Sequence, residues 1–448
     1  MNYITLLQRN AQHNADKPYI VLHDRRITYG QAYEDAREFI LPQWKKQFPK
    51  QYKTTVLILS QHVYHQLVAF LAVMDAGQIP IIGHFDLPAT AEQALVERNG
   101  IGFLLRETDK GWRMETGAGE SAPPEAPYRN ACMGVLSSGS TDVPKVMYRT
   151  YESWAGFIPE QNRRFCIDEN AVVFVEGSFS FTGNLSIWAS VIYAGCTLAV
   201  SETFNCRQWL DMIETCKVSV LYLVPAKLKM LTRYLKREYP SMKMILAGSQ
   251  LLGAQTAEKL KNAFPNCNII LYYGASELDY ITWLDYEEVL RYPDSVGKPV
   301  PGVRVWVEDG LIYIDTPYHV EGLEQPCTLH DTGYFNTDGY LIFNGRESDI
   351  INKGGFKISC TKVENALCSL PEVVQAVVLP YEDEGRGQEA AAFVVCSGTT
   401  FTKQDLRQQL RRVLMQQEMP KKILLLQEIP LNSRGKTDKT ALRNMLEQ

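Results

Sequence analysis

The stretch Val135-Leu136-Ser137-Ser138-Gly139-Ser140-Thr141-Asp142-Val143-Pro144-Lys145 concentrates more chemistry than any other in this 448-residue chain. Four hydroxyl side chains, a glycine and a lysine follow a short apolar entry. Hydroxyls, exposed backbone N–H groups and one ammonium can therefore surround a polyanion. Taken alone, the stretch reads as well as a Ser/Thr turn after a strand. It is not a Walker A loop, which needs Gly before its Lys and Ser or Thr after it. Here Pro144 precedes Lys145 and Val146 follows.

A loop of this kind needs a scaffold, and the composition supplies one. Apolar content of 45% with 22% charged residues is that of a folded globular protein, and the length suits two or three domains. A net charge of -5 leaves no basic excess for a nucleic-acid backbone. The polar start of the chain predicts no signal peptide, and no run of 18 apolar residues predicts a transmembrane helix. Ten cysteines and seven histidines are scattered without C-x-x-C pairs, so reduced cytoplasmic thiols are expected rather than disulfides or zinc.

Buried-strand runs alternate with helical periodicity from residue 54 to residue 273, which predicts parallel, doubly wound sheets with crossovers. Residues 108–130 carry no periodicity and read as a surface connection, and residues 153–164 read as one helix. From residue 295 to 345 short strands between Gly and Pro turns predict a small barrel-like β subdomain or meander. The fold class is therefore α/β, with a large N-terminal domain at 1–346 and a small α+β domain at 347–448.

Further stretches share an order with the loop. Tyr273-Gly274-Ala275-Ser276-Glu277, Asp331-Thr332-Gly333-Tyr334, Gly345-Arg346 and Pro430-Leu431-Asn432-Ser433-Arg434-Gly435-Lys436-Thr437-Asp438 follow it along the chain. With the loop, they resemble the motifs of the adenylate-forming ligases, the superfamily of acyl-CoA synthetases, peptide-synthetase adenylation domains and luciferases. The resemblance spans Ser137 to Asp438. It implies that a carboxylate attacks the α-phosphate of ATP, expels pyrophosphate and leaves an acyl-adenylate for a thiol to open. Positioning and charge neutralisation should dominate such a reaction.

The roles that the resemblance implies fall on named residues. Ser137, Ser138, Gly139, Ser140, Thr141 and Lys145 would grip the β- and γ-phosphates, and Glu277 would hold Mg2+. Tyr273 would stack on adenine beside Gly274 and Ser276, with Gly248 and Ser249 as the other wall. Asp331 would accept the ribose hydroxyls, Arg346 would sit near the ribose and α-phosphate, and Lys436 would be the mobile catalytic lysine. Ser348 would be the hinge, and Gly354 and Gly355 would line a pantetheine tunnel. Four positions depart from the family pattern: Asp142 and Val146 stand for glycines, His330 for the glycine of T-G-D, and Ser348 for Asp or Lys.

Phe179, Phe181, Thr182, Asn184, Trp188 and Ile281 are the expected pocket residues. Thr182 stands where amino-acid-activating members carry an aspartate, and no Asp or Glu lies between Gly177 and Ser201. An unpaired buried ammonium would be costly, so aryl or fatty acyl acids are favoured. The acceptor is the phosphopantetheine thiol of CoA or of a stand-alone acyl carrier protein, which would act in trans because no carrier domain follows. Other readings are an amino-acid-activating enzyme, a non-catalytic nucleotide-binding homologue and a luciferase-like oxygenase.

Overall fold

The computed structural model describes residues 2–39, 44, 46–117, 125–137, 143–353, 356–383, 387–397, 401–430 and 437–446. Its centre is a parallel array of Asn268–Ala275, Met244–Gly248, Val220–Tyr222, Val172–Glu176, Thr197–Ser201 and Pro18–Val21, neighbours in that order. Runs such as Val172-Val173-Phe174-Val175 are apolar on both faces because helices or a second sheet cover both sides. The helix Cys206–Thr215 starts where the Asn205 side chain accepts the N–H groups of Arg207 and Gln208.

A second sheet runs Gly111–Thr116, Phe103–Thr108, Thr55–Leu59, Ile79–Ile82, Met133–Leu136, Val146–Arg149. Helices Val63–Asp75 and Thr182–Ala194 are apolar nearly all round, and one core cluster joins them to residues of both sheets, among them Val56, Ile58, Val173 and Val175. A helix without a polar face needs cover on every side, and two sheets supply it.

The strand Asp279–Asp285 returns antiparallel to Asn268–Ala275 and hands the large sheet on to Ser295–Pro299. From there Leu341–Arg346, Cys327–Phe335, Leu311–Asp315 and Arg304–Glu308 follow as an open meander, so the expected barrel or meander takes the second form. Past the short 3-10 turn Glu347–Asp349, the chain enters a separate sheet of Phe356–Ser359, Ile350–Lys353, Gly387–Cys396 and Val373–Asp383, with Lys422–Leu426 beside Gly387–Cys396. Among the described residues no helix is long and apolar enough to cross a membrane.

Two expectations change. Residues 111–116 are a strand, not part of a featureless connection; Trp112 and Met114 pack on the core while Arg113 and Glu115 alternate with them. The single helix expected at 153–164 is two, Tyr151–Ala155 and Ile158–Arg164, because Pro159 offers no N–H to a continuing helix and suits a first turn.

Candidate active site

Tyr273, Asp331 and Arg346 meet beside the carboxyl ends of the parallel strands, where open α/β sheets bind ligands. Asp331 and Arg346 face each other directly across the antiparallel pair Cys327–Phe335 and Leu341–Arg346. The Tyr273 hydroxyl donates to Asp331 Oδ2 at 2.5 Å, and Arg346 Nε donates to Oδ1 at 3.3 Å. Asp331 is 3% exposed. Burial raises its carboxyl above the usual range, while the Tyr273 and Arg346 bonds pull it back. The Tyr273 phenol is pushed well up by burial and then by the Asp331 charge. Among the described residues each carboxylate oxygen accepts one hydrogen bond, which leaves one of its two acceptor positions apiece.

The stretch expected as the phosphate loop connects the two strands of an antiparallel pair. Met133–Leu136 and Val146–Arg149 pair antiparallel, with Leu136 opposite Val146. Ser137 closes the base twice: its N–H donates to Lys145 O at 2.8 Å and its Oγ accepts the Lys145 N–H at 3.0 Å. The Lys145 side chain is exposed. The end of helix Ala89–Asn99 grips the returning limb: Arg98 donates to Val143 O at 3.0 Å and Asn99 Nδ2 to Pro144 O at 3.1 Å, while Asn99 Oδ1 accepts from Val146 N at 2.8 Å. Val146 is accommodated because Gly134 is small; a Cβ there would lie 2.8 Å from Val146 Cγ1. Ser138, Gly139, Ser140, Thr141 and Asp142 lie outside the described residues.

Arg149, at the end of the hairpin, ties this segment to the turn that carries Glu277. Its guanidinium is fully buried and donates to Ser276 O at 2.6 Å, Tyr318 O at 2.5 Å and Ser153 O at 3.1 Å, above the Trp154 ring. Burial lowers its pKa to about 10, so it stays charged at neutral pH. Burial raises nearby Asp279 to about 6 against the pull of Arg149. Glu277 is partly exposed on this turn, and its carbonyl accepts Val320 N at 2.9 Å. Ser276 Oγ donates to Thr182 Oγ1 at 2.9 Å, joining the turn to the start of helix Thr182–Ala194. One carboxylate completed by phosphate oxygens and water is the donor set that Mg2+ takes, so Glu277 fits that cation.

Other expected residues are placed as follows. Gly248 lies against the ring of Tyr272, its partner in the register of the parallel pair, and Ser249 adopts φ 72. Phe179, Trp188 and Ile281 are core residues, and Asn184 Nδ2 closes the preceding loop by donating to Glu176 O and Ser178 O at 3.0 Å. Phe181 is exposed beside His84. His330 has φ 57, so its position demands the left-handed backbone that glycine adopts freely. Lys436, Gly354, Gly355 and the Ser348 side chain lie outside the described residues. Arg149, Asn99, Tyr222 and Tyr272 were not among the expected site residues; the signal for Arg149 was a lone charge ending the strand Val146–Arg149.

Residues 7–322 match the family model described as AMP-binding enzyme, and residues 362–436 match the AMP-binding enzyme C-terminal domain. The uncharacterized acyl-CoA ligase YhfT of Bacillus subtilis is 28% identical over 72% of this chain and 70% of its own length. The putative long chain fatty acid-CoA ligase VraA of Staphylococcus aureus is 23% identical over 98% of both chains. Among solved structures, o-succinylbenzoate CoA synthetase (MenE) from Bacillus subtilis, in complex with the acyl-adenylate intermediate OSB-AMP, superposes with a TM-score of 0.83 at 21% identity, covering 99% of this chain and 98% of that one.

Proposed function

Because the chain belongs to the AMP-binding enzyme family, we propose that it activates an aryl or fatty acyl carboxylic acid with ATP and passes the acyl group to a phosphopantetheine thiol. The thiol is that of CoA or of a stand-alone acyl carrier protein. The observation that carries the reading is Asp331: a buried carboxylate held by Tyr273 and Arg346 with one acceptor position left on each oxygen, as two ribose hydroxyls require.

In the first step a carboxylate oxygen bonds to the α-phosphorus, the α–β bridging bond breaks, and pyrophosphate leaves with the electron pair. In the second a thiolate sulfur bonds to the acyl carbon and AMP leaves, the thiol proton having gone to solvent. Tyr273 stacks on the adenine, flanked by Gly274 and Ser276 and faced by Gly248 and Ser249. Ser137 and Lys145 brace the phosphate loop that Ser138, Gly139, Ser140 and Thr141 complete. Glu277 would hold Mg2+, which when bound neutralises phosphate charge. Lys436 stabilises charge moving between the acid and the α-phosphate, and Ser348 is the hinge on which the lid brings Gly354 and Gly355 to the pantetheine. A cytoplasmic location fits the use of ATP and the free cysteines among the described residues.

An amino acid is the weaker substrate. Glu176, the carboxylate at the end of Val172–Glu176, is already paired with Lys227, so an ammonium would find it neutralised. The test is ATP–pyrophosphate exchange across a panel of acids. Exchange should depend on an acid and be lost in Lys436→Ala and Asp331→Ala; exchange unchanged in both variants would end the assignment.

A further inference from the structure

Two phenols fill the space beside the Thr182–Ser276 hydroxyl pair. Tyr222, at the end of Val220–Tyr222, and Tyr272, next to Tyr273, have their ring centroids 6.4 Å apart and their planes 23° from parallel, with hydroxyls 3.0 Å apart. Tyr222 is 7% exposed. Tyr272 is further fixed edge-on against Tyr280, at 4.6 Å between centroids.

Each ring presses on a glycine. A Cβ at Gly183 would lie 2.0 Å from Tyr222 Oη, and one at Gly248 would lie 2.4 Å from Tyr272 Cζ. Neither glycine is among the positive-φ residues, so conformational freedom is not what either position requires. Gly183 even sits in the first turn of helix Thr182–Ala194, where glycine is a poor helix former. What both positions require is room for a ring, so the phenols are built into the backbone rather than resting against it.

The phenol pair adjoins the proposed nucleotide side through two short links. Thr182 immediately precedes Gly183, and Ser276 lies three residues past the adenine-stacking Tyr273. An acid whose carboxyl is held near the hydroxyl pair therefore extends its tail onto Tyr272 and Tyr222. Opening a path between the rings would break the hydroxyl pair and leave the buried Tyr222 O–H without that partner, which the packing resists.

We propose that the Tyr222–Tyr272 pair is the floor of the acid pocket and restricts the enzyme to compact carboxylic acids, short-chain or single-ring, excluding long acyl chains. The inference rests on the reading that this crevice adenylates an acid. Site and specificity separate cleanly in one experiment: hydroxamate trapping of adenylates from acetate, butyrate, benzoate, decanoate and palmitate.

One methylene in an apolar pocket changes kcat/KM by roughly 10–200-fold, so butyrate or benzoate should exceed decanoate and palmitate by at least about a hundredfold. In Tyr272→Ala and Tyr222→Leu the decanoate-to-butyrate ratio should rise at least about tenfold. Two variants are used so that a folding defect in one leaves the other informative, and the wild-type profile needs neither. Decanoate or palmitate turned over by the wild type within a hundredfold of the better of butyrate and benzoate would overturn the size filter while upholding adenylation. Hydroxamate from none of the acids, with a cooperative native melt, would remove the adenylation reading and this inference with it.

Discussion

The hydroxyl of Tyr273 and the carboxylate of Asp331 lie 2.5 Å apart, 58 residues distant in sequence, so the proposed adenine wall and the proposed ribose acceptor are one hydrogen-bonded unit. The phenol orients the carboxylate while its ring packs against Phe343, at 5.5 Å between centroids. Tyr273→Phe keeps the ring and removes the donor. A hydrogen bond to a charged group is worth about 1.5–3 kcal/mol, so the KM for ATP should rise about tenfold with kcat changed less than about threefold. Steady-state kinetics at saturating acid checks this; an unchanged KM would show that Arg346 alone orients the carboxylate.

Arg149 is the mechanical link between the hairpin that carries the proposed phosphate loop and the Glu277 turn, since it holds the carbonyls of Ser276 and Tyr318 from the strand Val146–Arg149. Arg149→Met should leave those carbonyls without their donor and loosen the turn. The Mg2+ concentration for half-maximal activity is expected to rise by about tenfold or more, whereas Arg149→Lys, which keeps charge but loses the fork, should recover part of the loss. A uniform fall in activity with the Mg2+ dependence untouched would assign Arg149 to stability alone.

The central strands and the motif residues were legible because their signals are local. Apolar runs such as that of Thr55–Leu59 mark buried strands, and the glycine, tyrosine and acidic spacings lie within a few residues of one another. Arg149 was not legible, since its carbonyl partners Ser276 and Tyr318 lie 127 and 169 residues away. The strand Asp279–Asp285 was missed for another reason: Tyr280, Ile281, Thr282 and Leu284 are all buried, so period-2 alternation is absent, and acidic residues close both ends. Asp331 could be named from its motif, but its placement opposite Arg346 depends on the register shift between Thr332 and Gly333, which no local pattern encodes.

His330 occupies a left-handed position at φ 57, which costs an L-residue about 1–2 kcal/mol. Its contact with Glu347, at 3.1 Å, joins two exposed side chains and contributes little. His330→Gly removes the strain but loses more chain entropy on folding, about 0.5–1 kcal/mol. The net expectation is stabilisation of up to about 1 kcal/mol, read as a melting temperature higher by roughly 1–2 °C in a domain of this size. Destabilisation in a calorimetric scan would show that the imidazole makes a contribution beyond the Glu347 contact.

Glu364, on the helix Cys360–Cys368, has its carboxyl raised from 4.5 to about 7, with burial as the main cause; the Val378 N–H donated at 2.8 Å and the charge of Lys439 oppose the rise, while Asp349 adds to it. Lys439 is itself paired with Asp349 at 2.9 Å, so it cannot serve Glu364 undivided. The fold thus favours the protonated acid. Its contribution to stability is complete below the unfolded carboxyl's pKa of about 4.3 and is lost as pH rises through about 7. Glu364→Gln preserves the acceptor for Val378 and removes the titration. Between about pH 5 and about pH 8 the wild type should lose on the order of 2 kcal/mol relative to this variant, measured by denaturant unfolding of the full chain at each pH. Parallel stability curves for the two proteins would mean that Glu364 is ionised and solvated in the native state, and the pH dependence would then have to come from another group.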